Sequence, residues 1–449
     1  MLTLRLDGAL TVDNEPPADL LITGKDRDPV ALHDADGSVA AVLGALRRPS
    51  TWQQLHEQVP LGEGKLDVLI RRLLVTGVVT LGCADEHGDV ATARFRSRLA
   101  DVRPDAAPAG DQLVQLSPYA LLRRLDDRAV VESAHDGTIV ELHRPALAAV
   151  VAGLCAPAVA AAAAGHAPGG EQLLRLLAAV GLVIAPGPET GRPPHAVWTH
   201  TRSRNGLVEL RTVAPGALDE PPAEPAAGTD IALPVPDLAA LRRTDPPLAE
   251  VMETRRSVRR FGGTPLTLTQ LGELLHRVAR VQQRLPADPA DDRSYAFTLR
   301  PAPSAGAMHE LDHYLTIRAC EGLAPGVYRY LPDRHALAVV NRDPVPLVRL
   351  INAAYLALNR VSVPQVLISL AARGDRTTRK YGDLAYSLTL RNAGVALQSV
   401  YLCATAMGLG ACAVGSGDAA DFAEATGLDP AEVSAVAEIV VGSLPGEDV

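Results

Sequence analysis

The chain has 449 residues and a net charge of −9, and 47% of its residues are hydrophobic although only 3% are aromatic. This length predicts two or three domains with cores of Ala, Val and Leu, and the acidic balance argues against a dedicated nucleic-acid binder. The five cysteines form no CxxC pair and the twelve histidines show no metal-ligand spacing, so we predict a cytoplasmic protein without a metal site or disulfide framework.

The first elements are consistent with a protein that is neither secreted nor membrane-spanning. Residues 1–16 alternate apolar and polar side chains, which predicts a strand and not a signal peptide. The uncharged run 147–165 is mostly alanine and contains Pro157. Because alanine contributes little insertion energy, we predict buried helices there and no membrane partner.

Two similar segments lie in the first half of the chain. LDVLIRRLLVTGVVTL (66–81) and QLLRLLAAVGLVIA (172–185) each read as an amphipathic helix that ends at a glycine, Gly77 or Gly181, and leads into a short strand. Another helical stretch precedes each copy. Helix, helix, glycine and strand is the pattern of a winged helix, so we predict two tandem winged-helix-like modules, 1–105 and 106–190.

The charges of these modules weigh against DNA recognition. A recognition helix needs exposed basic residues to neutralise phosphates. Asp67 stands among Lys65, Arg71 and Arg72 in the first copy, and the second copy offers only Arg175. A packing or peptide-holding role is therefore favoured.

A region of low packing capacity separates the modules from the rest of the chain. Residues 214–236 are rich in Pro, Ala and acidic side chains, which predicts a linker. We assign 191–244 as linker or extension and 245–449 as a C-terminal domain.

The first chemical cluster is ETRRSVRRF (253–261). If this segment is extended, alternate residues Arg255, Ser257 and Arg259 project on one side. Two guanidinium groups and a hydroxyl suit a phosphate monoester, whereas a plain solvated basic face is the alternative.

The second cluster is RPAPSAGAMH (300–309). Its small residues Pro303, Ser304, Ala305 and Gly306 offer backbone N–H groups and allow a planar ligand to approach closely. A simple turn before a strand at 312–317 is the alternative interpretation.

The third cluster joins Lys380 and Tyr381 to a long helix, 385–407, and then to a glycine-rich loop that contains Gly415 and Ser416. The helix is apolar on one side and therefore mostly core. A lysine ammonium beside a phenol lowers the pKa of the phenol, which would make Tyr381 available as a base. Two surface residues at a helix start are the alternative.

The order and spacing of these clusters resemble the flavin-dependent nitroreductase superfamily over residues 245–445. Within it, the chain resembles SagB-type azoline dehydrogenases of thiazole/oxazole-modified peptide biosynthesis. The segments that carry this likeness are RKYGDLAYSL (379–388), PGVYRYLPDRHAL (325–337) and WTHTRSRNG (198–206). Some members of that group also carry tandem winged-helix-like peptide-clamp modules.

The resemblance implies an α+β fold with a mixed sheet flanked by helices, and FMN bound at a homodimer interface. Arg255, Ser257 and Arg259 would hold the FMN phosphate and ribityl chain. Pro303, Ser304, Ala305 and Gly306 would lie along the flavin, and Gly415 and Ser416 would approach its ring. Lys380 and Tyr381 match the catalytic pair of the azoline dehydrogenases.

The reaction that the resemblance implies is the oxidation of thiazoline or oxazoline rings to thiazoles or oxazoles. Tyr381, assisted by Lys380, would remove the acidic ring proton, and a hydride would pass to flavin N5. The substrate would be an azoline-containing precursor peptide made with a YcaO-type cyclodehydratase. Two alternatives stay open: an NAD(P)H-dependent nitro- or quinone-reductase of the same fold, and a catalytically silent peptide-binding scaffold.

Three segments depart from the family pattern, one of which is Val441-Gly442-Ser443, without the basic residue that many nitroreductases place there. Met308-His309-Glu310 follows the Pro303–Gly306 segment where relatives often have Tyr and Pro. The long helix has Asn392 where relatives commonly have Asp. We expect the contacts of the flavin and the substrate to differ at these positions.

Overall fold

A computed structural model describes all residues except 8–9, 16–18, 25–26, 35, 96–100, 188–191, 205–229, 289, 292–293 and 447–449. The chain forms two compact units, Met1–Leu207 and Val208–Val449. Residues 214–229 of the predicted linker and the last two residues of WTHTRSRNG (198–206) lie outside the described part of the chain.

The N-terminal unit contains both helices and strands. Its strands are β1 (Leu2–Leu6), β2 (Leu10–Glu15), β3 (Asp19–Gly24), β4 (Arg27–His33), β5 (Val79–Asp85), β6 (Gly88–Arg94), β7 (Leu113–Leu116), β8 (Ala120–Leu125), β9 (Arg128–Ser133), β10 (Ile139–Leu142), β11 (Ala158–Val159) and β12 (Val183–Ile184). Its helices are α1 (Ser38–Ala45), α2 (Trp52–Gln58), α3 (Glu63–Val75), α4 (Ala148–Gly153), α5 (Ala160–Ala164), α6 (Gly170–Ala179) and α7 (Pro194–Arg204).

The two repeats fold alike at their helix ends. Helices α3 and α6 are each followed by a glycine with a left-handed backbone, Gly77 with φ 70° and Gly181 with φ 72°. Each then leads into a strand, β5 or β12. The helix, glycine and strand pattern that the sequence predicted is therefore present in both copies.

One sheet continues across the predicted module boundary near residue 105. Its strand order is β1-β5-β6-β10-β9-β8, so β10 from the second repeat pairs with β6 from the first. A single apolar cluster extends from Leu4 to Val183. The two repeats therefore share one sheet and one apolar core. Their division into two winged-helix-like modules stays a prediction.

The C-terminal unit contains the long helix of the third cluster. Its helices are α8 (Leu238–Thr244), α9 (Leu248–Thr254), α10 (Leu268–Ala279), α11 (Pro344–Ala357), α12 (Gly374–Tyr381), α13 (Ala385–Ala406) and α14 (Ala419–Thr426). Its strands are β13 (Ile231–Ala232), β14 (Leu266–Thr267), β15 (Gln283–Leu285), β16 (Phe297–Leu299), β17 (Leu311–Ile317), β18 (Cys320–Glu321), β19 (Gly326–Leu331), β20 (Ala336–Asn341), β21 (Val366–Arg373), β22 (Leu409–Val414) and β23 (Val433–Ser443).

Seven strands form the main sheet in the order β13-β20-β19-β17-β21-β23-β22. The α+β class is confirmed, but the prediction of a mixed sheet is wrong for the described residues. Every neighbouring pair in this sheet is antiparallel, and the parallel pair is the separate β14–β18. Direct connections such as that between β19 and β20 join neighbours in space and so favour antiparallel pairing.

The central strand β21 explains how the sheet is covered. Its first six residues, VLISLA, are all buried, as expected of a strand with helices on both faces. One face of the main sheet packs on helices α10 and α13, for example through Ile368 of β21 and Val400 of α13. The other face of the sheet packs on helices α11 and α14, for example through Tyr314 of β17 and Phe422 of α14. Helix α13 is thereby fixed along the sheet, which positions the residues of the site.

The beginning of this unit corrects the predicted linker. Ile231 and Ala232 form β13 and pair with Leu337 and Ala336 on β20. Residues 231–232 are therefore part of the main sheet, although their sequence neighbourhood of Pro and Ala predicted a linker up to residue 244.

Candidate active site

Lys380 and Tyr381 are the last two residues of α12, just before the long helix α13. Lys380 Nζ donates a hydrogen bond of 2.8 Å to the hydroxyl of Tyr295. The same Nζ lies 4.3 Å from the centre of the Tyr295 ring and 5.5 Å from that of Tyr381. The ammonium group therefore lies between two phenol rings, of which the sequence had predicted only one.

The turn at Gly306 brings these groups to one point. Gly306 has φ 58°, a left-handed conformation, and its carbonyl accepts a hydrogen bond of 2.6 Å from the Tyr295 hydroxyl. A β-carbon on Gly306 would stand 2.5 Å from the Tyr381 hydroxyl, 3.0 Å from that of Tyr295 and 3.4 Å from Lys380 Nζ. Three polar groups thus converge where the glycine has no side chain, and a larger residue would displace them.

The electrostatics of Tyr381 correct the expectation of an acidified phenol. The nearby Lys380 lowers the pKa of Tyr381, but burial acts more strongly in the opposite direction, so the pKa of Tyr381 is raised above its ordinary value. The phenolate loses more favourable solvation on burial than it gains from its attraction to the ammonium group. Lys380 therefore offsets part of the cost of forming the phenolate without removing it.

A buried hydrogen-bond network supports the turn from behind. Ser304 Oγ donates to Glu310 at 3.0 Å, and Asn392 Nδ2 donates to the other oxygen of the same carboxyl group at 2.8 Å. Asn392 also accepts from the N–H of Ala305 at 3.2 Å. That N–H is therefore engaged, which corrects the expectation that the N–H groups of the Pro303–Gly306 segment are free for a ligand.

The basic cluster lies around a different tyrosine. After α9 ends, Arg255 lies 5.4 Å from the centre of the Tyr401 ring, and Ser257 Oγ is 3.1 Å from the Tyr401 hydroxyl. That hydroxyl also accepts a hydrogen bond of 2.7 Å from the N–H of Ala413 on β22. The structure brings Arg255 and Ser257 together through Tyr401, while Arg259 is exposed beyond them.

Helix α13 connects the two clusters. Asn392 and Tyr401 both lie on it, nine residues apart, which corresponds to about 14 Å along the helix axis. One helix therefore carries both Tyr401, which contacts the basic cluster, and Asn392, which supports the turn beside Lys380 and Tyr381.

The predicted glycine-rich loop follows β22. Gly415 and Ser416 are exposed, and a β-carbon on Gly415 would meet nothing within 4 Å among the described residues. Gly417 instead packs against the buried carboxyl group of Glu438 on β23. The loop is thus open at Gly415, whereas it packs against Glu438 at Gly417.

Comparison with known proteins identifies the family of this C-terminal unit. Residues 252–442 match the model of the nitroreductase family. MJ1384 of Methanocaldococcus jannaschii, a protein named as a nitroreductase, is 31% identical over 191 residues, which cover 42% of this chain and 86% of the relative. The chain belongs to the nitroreductase family. Its C-terminal unit is therefore a nitroreductase-fold flavin oxidoreductase, and FMN is the typical cofactor of this family.

Two solved structures are also similar to this member of the nitroreductase family. A nitroreductase structure from Ralstonia eutropha shares 23% identity with a TM-score of 0.38, over 54% of this chain and all of that chain. A chain of the Escherichia coli microcin synthetase McbBCD complex with truncated pro-MccB17 bound shares 19% identity with a TM-score of 0.34, over 47% of this chain and 84% of that one.

Four residues of this nitroreductase-family site were not predicted from the sequence as site residues. Tyr295 stands in a segment without a motif, and Tyr401 is one of many apolar positions on a core helix. Glu310 and Asn392 were noticed only as departures from the family pattern. One signal could have linked them. The chain has a carboxylate at Glu310 where relatives often have Tyr and Pro, and it lacks one at Asn392, where relatives commonly have Asp.

The N-terminal unit has a separate cavity of about 670 Å³. Segment 101–108, the end of α6 and strands β7 and β12 contribute to its wall. Its polar lining includes Arg103, Gln112, Tyr119, His135 and Asp136, and its apolar lining includes Ile184. The size falls in the range of pockets that bind ligands of several residues or a small molecule.

Two further observations concern the described residues of both units. No three side chains of His, Cys, Asp or Glu lie close enough together to hold a metal ion. Among the helices described, none has the length and apolar character needed to cross a membrane.

Proposed function

We propose that this protein is an FMN-dependent dehydrogenase that converts thiazoline or oxazoline rings of a ribosomal peptide to thiazoles or oxazoles. The observation that carries this proposal is the convergence of Lys380 and Tyr381 on Gly306. Azoline oxidation removes a proton as well as a hydride, so it needs a positioned base. A reductase that passes a hydride between a nicotinamide and a flavin does not need one.

The residues present fit FMN. Arg255, Ser257 and Arg259 supply two cationic forks and a hydroxyl for the phosphate and ribityl chain. Arg255 lies over the Tyr401 ring at 5.4 Å, and the hydroxyl of Tyr401 is 3.1 Å from Ser257 Oγ. Gly415 leaves open space for a planar ring, and Ser416 follows it. When bound, the cofactor would supply the acceptor of the hydride.

Proton transfer belongs to the residues of the chain itself. The azoline ring carbon beside the carbonyl is acidic, and Tyr381, after its hydroxyl has released its own proton to solvent, would accept the ring proton at the phenolate oxygen. Lys380 would stabilise this phenolate before it accepts the proton, since its ammonium group lowers the pKa of Tyr381 against the effect of burial. The turn of Pro303, Ser304, Ala305 and Gly306 would hold both groups at the edge of the flavin.

The partners follow from the same proposal. An azoline-containing precursor peptide would be the substrate, made by a YcaO-type cyclodehydratase, and two copies of the chain would form the dimer that encloses FMN. The cavity of the N-terminal unit, with its open strand β12 and exposed Ile184, would hold part of the precursor. Peptides commonly bind by adding a strand to such an edge.

The decisive test is oxidation of a synthetic azoline peptide by the FMN-loaded full chain. We expect a mass loss of about 2 Da per ring, since one hydride and one proton leave. The variants Lys380→Ala and Tyr381→Phe should keep bound FMN, seen as yellow colour, but lose the reaction. Tyr355→Phe on α11 is the matched control and should behave like the wild type. Full activity in both site variants would contradict the proposal.

A nitro- or quinone-reductase is the second candidate, because MJ1384 is named as a nitroreductase. The two candidates differ in what they consume. Rapid oxidation of NADPH with a nitroaromatic, together with no change in azoline peptides, would replace the first proposal by the second. Absence of yellow colour after reconstitution with FMN would instead support a silent peptide-binding scaffold.

A further inference from the structure

Tyr295 reaches the site from a part of the chain that carries no recognisable motif. It stands two residues before Phe297, the first residue of β16, and its ring packs on Phe297 at 6.1 Å. Strand β16 is held by β15 and by His309, whose Nε2 is 3.0 Å from the carbonyl oxygen of Thr298. Tyr295 is therefore anchored to the same turn region that presents Gly306.

The hydroxyl of Tyr295 uses both of its hydrogen-bonding roles. It accepts from Lys380 Nζ at 2.8 Å and donates to the carbonyl of Gly306 at 2.6 Å. The ring also offers its face to the ammonium group at 4.3 Å, a favourable cation–π distance. Lys380 has several rotatable bonds, so these two contacts remove much of the freedom that its ammonium group would otherwise have.

We infer that Tyr295 is a positioning residue of this site, which holds the Lys380 ammonium against Tyr381 and ties it to the Gly306 turn. The inference rests on the proposed function, because it assigns to Tyr295 a part in the proton transfer by Tyr381. Tyr295 acts through Lys380 and is not itself the proton acceptor.

The charged and titratable groups around Tyr381 set the expected direction. Lys380 from α12 lowers the pKa of Tyr381, whereas burial, Tyr295 and Glu310 raise it. Glu310 is held in place by Ser304 and Asn392 and is not altered by a change at Tyr295. Loss of the Tyr295 hydroxyl removes its own raising contribution, but it also releases the Lys380 ammonium group, which acts on Tyr381 more strongly than Tyr295 does. If Tyr295 fixes Lys380, the weakened contribution of the ammonium group outweighs the other change, and the ionisation of Tyr381 moves to higher pH.

Tyr295→Phe is the appropriate variant, because it keeps the ring under Lys380 and removes only the hydroxyl. In azoline oxidation we expect kcat to fall about tenfold, the scale of one hydrogen bond to a charged group, with KM little changed. The pH at which kcat is half-maximal should move upward. Tyr355→Phe should change none of these quantities.

A second measurement does not depend on activity. Ultraviolet difference titration of the full chain follows tyrosine ionisation, and subtraction of the Tyr381→Phe titration isolates Tyr381. The midpoint for Tyr381 should be higher in the Tyr295→Phe background than in the wild type. An unchanged or lower midpoint would overturn the inference, even if the enzyme oxidises azolines. Failure of the wild type to oxidise azolines, with the midpoint shifted as expected, would overturn only the proposed function.

Discussion

Asn392 on α13 donates a hydrogen bond of 2.8 Å from its side-chain amide to the buried carboxyl group of Glu310. Glu310 is only 2% exposed, so its two oxygens depend on the protein for hydrogen bonds. Asn392 supplies one and Ser304 the other. An amide at position 392 is thus the chemical complement of a carboxylate at position 310.

The variant Asn392→Asp would place two carboxyl groups at hydrogen-bond distance. They cannot both ionise at low cost, so the folded protein would retain a proton that the unfolded chain releases. We expect a loss of about 3 kcal/mol in the free energy of unfolding near pH 8, and a smaller loss near pH 5. Urea denaturation at both pH values measures this.

Gln398→Glu, an amide-to-acid change at an exposed position of the same helix, is the control for that prediction. It should cost well under 1 kcal/mol at either pH, as exposed substitutions usually do. Equal losses for Asn392→Asp at the two pH values would show that charge is not the cause.

Gly306→Ala tests the convergence of the polar groups. The added methyl group would collide with the Tyr381 hydroxyl and crowd that of Tyr295, and the left-handed backbone with φ 58° adds strain. We expect azoline oxidation to fall about 100-fold through misplacement, but the free energy of unfolding to fall by only about 1–2 kcal/mol. Steady-state kinetics and urea denaturation separate the two effects.

Gly44→Ala provides the comparison for this variant. Gly44 lies on helix α1, and a β-carbon there would meet nothing within 4 Å among the described residues. Since alanine is the better helix former, stability should rise by up to about 1 kcal/mol with activity unchanged. Normal activity in Gly306→Ala would contradict the assigned geometry.

Tyr401→Phe should weaken the proposed phosphate site. The change removes the hydroxyl that accepts from the N–H of Ala413 and meets Ser257, while the ring under Arg255 remains. We expect FMN affinity to fall about tenfold in a fluorescence titration, since one hydrogen bond that positions Ser257 is lost. Tyr401→Leu, which also removes the ring, should bind FMN still more weakly because stacking on Arg255 is lost. Equal affinity in Tyr401→Phe and wild type would show that the Tyr401 hydroxyl does not shape the site.

Glu438 below the glycine-rich loop makes stability depend on pH. It is 4% exposed, and burial raises its pKa above the ordinary value. Between the ordinary pKa of a glutamate and the raised pKa of Glu438, the unfolded chain has released this proton while the folded chain still holds it. The free energy of unfolding therefore falls as pH rises through this range. Glu438→Gln should therefore be more stable than the wild type by about 1 kcal/mol near pH 8 and equal to it near pH 4.

The exposed Glu432 provides the matched change, Glu432→Gln, which should leave stability unchanged at both pH values. Urea denaturation of both variants checks the prediction. A Glu438→Gln variant less stable than the wild type near pH 8 would mean that the ionised carboxylate is the favoured form in the fold.

The sequence predicted what is local and missed what depends on distant pairs. Lys380 and Tyr381 are neighbours, and the helix 385–407 follows from its apolar spacing, so α13 and the pair were both found. Tyr295 lies 85 residues from Lys380, and its hydrogen bond follows from no spacing rule. The partnership of Glu310 with Asn392 spans 82 residues and needs the register of the fold.

The same distinction explains two of the errors, one about a strand and one about a charge. The Pro- and Ala-rich composition of 214–236 is typical of a linker, but it does not encode that Ile231 and Ala232 pair with β20. Proximity of Lys380 to Tyr381 gives the sign of one contribution to the pKa of Tyr381. The opposing contribution of burial is a property of the folded chain alone.

Strand β13 has a practical consequence for anyone who shortens this protein. It covers the beginning of the outer edge of β20, at Ala336 and Leu337, and the N–H of Leu233 extends that cover by donating to the carbonyl of His335. A shortened chain that begins at residue 245, the start assigned to the domain from the sequence, leaves the backbone of Ala336 and Leu337 uncovered. Uncovered strand edges pair readily with other chains, so such a fragment would tend to aggregate. A fragment that begins before residue 231 would retain β13 and would aggregate less.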